Sequence, residues 1–129
     1  MKLFRPTGLA ELRLVQQSGW RAWPTRLPDQ PIFYPVTTFD YAEKIARDWN
    51  AVGQGEQRYG FVTEFDIDGA TAARYPIQEA GGQDHRELWV PAEDLEAFNA
   101  GIVGPIRLIA AYCDRKPRDV AQLRELLKL

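Results

Sequence analysis

The sequence predicts an α+β fold: one domain over residues 1–129, with a mixed, mostly antiparallel sheet and three to four short helices. Three observations carry this. Tyr59, Phe61, Thr63, Phe65 and Ile67 alternate with Gly60, Val62, Glu64 and Asp66, the period of two of a strand. Phe39, Ala42, Ile45, Ala46 and Trp49 recur at helical spacing, with Glu43, Lys44, Arg47 and Asp48 on the other side. Stretches of both kinds interleave along the chain, and no linker or repeat divides it.

In chain order, Lys2–Arg5 reads as an opening strand, and Thr7 as the cap of a helix carrying Leu9, Leu12 and Val15, stopped by Gly19. Trp20-Arg21-Ala22-Trp23 alternates and reads as a short strand. Pro24–Pro31 holds three prolines and reads as a loop. Ile32–Val36 is a strand whose internal Pro35 places it at an edge or an end. Thr37 or Thr38 caps the next helix, which Gly53-Gln54-Gly55 ends, and whose face buries Trp49. After the strand at 59–67, Ala70–Arg74 makes a single helical turn. Ile77–Glu79 and Arg86–Val90 form two strands around the flexible turn Ala80–Asp84. Pro91 opens a helix with Glu93 and Asp94 in its first turn, Leu95 and Phe98 on its buried face, and Gly101 at its end. Ile106, Leu108, Ala110 and Tyr112 make the last strand. Pro117–Leu129 forms a basic amphipathic helix with the stripe Val120, Leu123 and Leu127.

Composition narrows the function classes. The formal charge is −2 over 129 residues, 45% of them hydrophobic and 26% charged. Such balance argues against general nucleic-acid binding or attraction to anionic membranes, which need a basic face. No stretch is apolar for the ~18 residues of a membrane span. The lone Cys113 excludes an internal disulfide, and the start lacks the apolar core of a signal peptide, so a cytoplasmic protein is expected. No phosphate-cradling glycine loop is present. His85 and Glu87 are spaced to share one strand face, yet no third ligand accompanies them, so no metal site is expected. Arg5, Arg21 and Arg26 are guanidinium forks that bind phosphates where they converge and pair with carboxylates where they do not.

Several segments also carry a resemblance. Leu3-Phe4-Arg5, then Ile32–Thr38 leading into the helix Asp40–Ala46, and later Arg86–Val90 follow the order of the ADP-ribosyltransferase fold. Its motifs are an Arg or His on the first strand, a Ser/Thr/Tyr region entering a helix, and a Glu on a later strand. The segments RLPDQPIFYPV, YAEKIARDWN, ELWVPAEDLEAFN and IVGPI resemble, across nearly the whole chain, small bacterial proteins labelled ADP-ribosylation- or crystallin-related.

The resemblance implies NAD as cofactor or substrate, with Glu87, Arg5 and Thr38 as the catalytic group. Arg5 and Thr37 would hold the nicotinamide ribose region. Tyr34 or Trp23 would stack on nicotinamide, Arg21 or Arg26 would meet the pyrophosphate, and His85 would sit beside them. Glu87 would stabilise the positive charge that develops as nicotinamide leaves. The chain departs from arginine-modifying members at His85, where those carry Glu or Gln. The function expected is transfer of ADP-ribose or cleavage of NAD. The alternative is a non-catalytic nucleotide- or protein-binding domain on the same fold, with a protein partner or a homodimer on the C-terminal helix. The enzyme requires Arg5, a threonine and Glu87 to meet in one cleft.

Overall fold

A computed structural model describes residues 1–82 and 85–129; part of the expected turn at Ala80–Asp84, namely Gln83 and Asp84, lies outside the described residues. It is α+β, and every strand pairing among the described residues is antiparallel. Four strands, β1 (Lys2–Gly8), β3 (Tyr59–Ile67), β7 (Ile102–Cys113) and β8 (Lys116–Arg118), form a sheet in the order β1-β3-β7-β8. β2 (Ile32–Phe33) pairs with β6 (Val90–Pro91), and β4 (Ile77–Glu79) pairs with β5 (Arg86–Leu88). Val36 bridges both Phe4 of β1 and Glu87 of β5, which ties the β4–β5 hairpin to the edge of the main sheet.

Among the described residues there are five α-helices, one more than the upper expectation: α1 (Leu9–Gln17), α2 (Phe39–Ile45), α3 (Gly69–Ala72), α4 (Leu95–Ala100) and α5 (Val120–Leu127). α1, α4 and α5 cover one face of the sheet. There Leu3, Phe33, Phe65 and Phe98 surround the buried Trp23, and Leu12, Phe61, Leu108 and Leu123 pack beside them. α2 covers the other face, where Ala42 and Ala46 meet Val36, Val62 and Tyr112. No described helix is long and apolar enough to cross a membrane.

Several elements differ from the sequence reading for local physical reasons. β1 runs three residues further than expected, because Pro6, Thr7 and Gly8 pair with Val62, Phe61 and Gly60. Gly8, not Thr7, therefore precedes α1, and the Thr7 hydroxyl is buried without a hydrogen-bond partner among the described residues. Trp20–Trp23 is not a strand. Gly19 and Trp20 both take positive φ, and the Ser18 hydroxyl accepts hydrogen bonds from the Arg21 and Ala22 amides, curling the chain. Ile32–Val36 splits at Pro35, which has no N–H for a ladder; only Ile32–Phe33 pairs with β6. Pro91 ends β6 rather than opening α4, and a 3₁₀ turn, Ala92–Asp94, intervenes. β7 is not the last strand, because residues 114 and 115 reverse with positive φ into β8.

Two further findings bear on function. The stripe Val120, Leu123 and Leu127 is not a free surface: it docks against Leu9, Leu12, Phe61 and Leu108. Trp49 is 75% exposed instead of buried. The helix after Ile45 widens into a π-helical turn, Ala46–Asn50, in which the Ala51 amide donates to the Ala46 carbonyl five residues back. That turn rotates Trp49 out of the phase a 3.6-residue period predicts. It lies directly on β3, where a Cβ at Gly60 would come within 2.1 Å of the Ala46 carbonyl oxygen. Only glycine at this position lets the widened turn approach so closely.

Candidate functional site

The site forms where α2 and its π-helical turn overhang β5. Glu87, on β5, is only 7% exposed. Its carboxylate accepts hydrogen bonds from the Tyr41 hydroxyl at 2.5 Å and the Trp89 indole N–H at 2.9 Å. Neither donor carries a charge, so the carboxylate is oriented without being neutralised. Tyr41 reaches it from the first turn of α2, which begins there because the Thr38 hydroxyl accepts the Tyr41 amide hydrogen bond. The His85 ring stacks on Tyr41 with centroids 4.4 Å apart, and both rings are nearly parallel at 10°. Burial, and secondarily the bond to Glu87, pushes the Tyr41 phenol well above its ordinary range, so it stays a neutral donor at physiological pH.

Glu87, Tyr41 and His85 border an open cleft of about 740 Å³, walled also by Tyr34 and Trp49, with Lys44 in its lining. Tyr34 is 41% exposed and Trp49 75%, so two aromatic side chains present solvent-accessible surface close to a fixed anion. Such a combination suits a planar organic cation, which gains from aromatic contact and from the carboxylate together.

The structure brings together only part of the group that the sequence predicts. Tyr34, His85 and Glu87 all border the cleft. Thr38 is nearby but serves as the cap of α2, and the Thr37 amide donates to the Arg86 carbonyl. Arg5 and Glu87 do not converge. Phe4, Val36 and Glu87 are directly paired, so their side chains share the α2 face, and the neighbouring Arg5 projects to the opposite face. There Arg5 forms a two-pronged ion pair with Glu11 of α1, at 2.9 and 3.0 Å, and lies over the rings of Phe33 and Tyr34.

Arg26 joins the same Glu11 at 3.4 Å, and burial followed by the adjacent Arg5 charge lowers its pKa. Trp23, expected as a stacking platform, is instead a core residue, wedged between Phe33 and Phe65 at 5.5 and 5.3 Å. Arg21 lines a separate hollow with Trp20 and Arg124. The pyrophosphate contacts expected of Arg21 and Arg26 therefore lie away from Glu87.

Tyr41, Lys44, Trp49 and Asn50 also border the cleft and lie outside the group that the sequence predicts. For Tyr41 and Lys44 there was a signal: they share one helix with the capping Thr38. For Trp49 there was none, because its exposure depends on the π-helical turn. No group of three or more metal-binding side chains occurs among the described residues. No protein-family model, curated protein or solved structure matches the chain.

Proposed function

We propose that this protein is a binding domain for an NAD-type nucleotide, held in the cleft between α2 and β5 through its positively charged nicotinamide ring. The observation that carries the reading is the buried Glu87 carboxylate, oriented by two neutral donors beside the exposed rings of Tyr34 and Trp49. A pyridinium ring satisfies both features, since it is flat and cationic. Lys44 supplies an ammonium in the lining for the ligand's phosphates. The binding role is preferred over ADP-ribose transfer because the guanidinium of Arg5 is committed to Glu11 on the other face of the sheet.

Tryptophan fluorescence during an NAD titration tests this, because Trp49 and Trp89 both adjoin the cleft. The expected result is a saturable change that Glu87→Gln abolishes, with thermal unfolding of the variant close to that of the parent. A flat titration, or unchanged affinity in Glu87→Gln, refutes the reading. The transferase reading is kept as a second one, because a fixed carboxylate beside a nicotinamide ribose would stabilise the charge formed as the ring leaves. Glu87-dependent release of nicotinamide from NAD would replace the binding role with that one.

A further inference from the structure

A second cleft, of about 680 Å³, lies on the other side of the π-helical turn. It shares two residues with the first, Trp49 and Asn50, which form a common wall. We infer that this second cleft is a nucleobase subsite, taking a neutral purine ring while the Glu87 cleft takes the cationic one, so that a single dinucleotide spans Trp49. The inference rests on the nucleotide reading above and extends it to a second site.

The chemistry of the lining selects the ligand class. Trp49 and Tyr59 contribute aromatic surface, and base–aromatic stacking is tolerant of base identity. Gln54 and Gln57 contribute side-chain amides, each able to donate and accept along the edge of a purine. Among the described residues Glu56 is the only charged side chain in the lining, which disfavours phosphate there and leaves a neutral ring as the match. Asn50 Oδ1, in the shared wall, is shielded from solvent and has no hydrogen-bond partner among the described residues. It is therefore enclosed in the wall, against Gly60 of β3, and the accessible polar groups of the cleft are the two glutamine amides.

The loop that carries the two glutamines is braced. The Gly53 amide donates to the Gln57 carbonyl at 3.1 Å, and a Cβ on Gly53 would come within 2.4 Å of Gln57 Cβ. At the other end of the turn, the close approach of Ala46 and Asn50 to Gly60 fixes Trp49 relative to β3. Both clefts are therefore built on one shared partition, whose backbone is packed on β3.

Isothermal titration calorimetry of the full chain with adenosine, nicotinamide mononucleotide and NAD separates this inference from the reading on which it rests. The expected results are that adenosine binds, that Gln57→Ala removes its binding while leaving that of the mononucleotide intact, and that Glu56→Gln preserves it. NAD is expected to bind at least about tenfold more tightly than the mononucleotide, because the second ring binds intramolecularly. Silence with adenosine, together with equal affinities for NAD and the mononucleotide, overturns the second subsite while the Glu87 cleft stands. Silence with both nicotinamide ligands overturns the Glu87 reading, and the adenosine titration with Gln57→Ala then decides the second cleft by itself. Loss of adenosine binding in Glu56→Gln would show that the cleft selects charge and overturn the neutral-base assignment.

Discussion

The two faces of the sheet use the same kinds of residue to opposite ends. On the α1 face, Arg5, Arg26 and Glu11 form an ion cluster, and Trp23 lies among Phe33, Phe65 and Phe98. On the α2 face, Glu87 accepts from two neutral donors among the described residues, and Trp49 stands out in solvent. A charged group that meets its counter-charge in the interior has done its work in holding the fold. One that is oriented and left uncompensated retains its field for a ligand. The comparison teaches that residue type alone does not mark a site; what marks it is whether neighbours have already answered the side chain's chemistry.

Trp23→Ala should break the sealed face, at a cost of about 3–5 kcal/mol in chemical denaturation. A cost below about 1 kcal/mol would mean that this face is not closely packed. Next in size is Glu11→Gln, which leaves two buried guanidiniums side by side and should destabilise by about 3 kcal/mol. Glu87→Gln, by contrast, should change stability little, and equal losses for both variants would erase the distinction drawn between the two carboxylates.

Tyr41→Phe should cost about 1.5 kcal/mol, the worth of a hydrogen bond to a charged acceptor, and should weaken NAD binding. Three phenols, Tyr41, Tyr75 and Tyr112, are raised from an ordinary value of 10.0, chiefly by burial and then by the carboxylates of Glu87, Asp94 and Glu43 respectively. Each therefore contributes stability that is complete below pH about 10 and is lost as the pH climbs through the raised folded-state value. Denaturation curves collected on either side of pH ~10 should show this decline, and a smaller one in Tyr41→Phe. An identical slope in the variant would remove Tyr41 from the account. The smallest effect is expected for Trp49→Ala, within about 0.5 kcal/mol of the parent, because the side chain is exposed. A large loss there would show Trp49 to be structural and would blur the contrast with Trp23.

Much of the architecture was legible in local pattern. The alternation over Tyr59–Ile67, the cap at Thr38, the glycine stops at Gly19 and Gly101, and the buried pair Leu95 and Phe98 all follow from spacing and turn chemistry. Of the site, Tyr34, His85 and Glu87 were in the expected group, and the structure places them around one cleft. Arg21, Arg26 and Trp23 are expected beside them and lie elsewhere, while Arg5 pairs with Glu11 and meets the cleft only through the Tyr34 ring it lies over. Nothing in Arg5 itself shows which sheet face it will occupy; that depends on the pairing of Phe4 with Val36, a contact across 32 positions.

The sequence by itself determined the class of fold, its strands of period two and its capped helices. These are properties of neighbouring residues, and short-range sterics and hydrogen bonding decide them. Only the tertiary structure decided which carboxylate would be answered by a guanidinium and which tryptophan would be covered. Register across β1, Val36 and β5 separates Arg5 from Glu87, and the close approach of Ala46 to Gly60 seats the turn that turns Trp49 outward. Both depend on contacts between distant segments, whose geometry local periodicity does not encode.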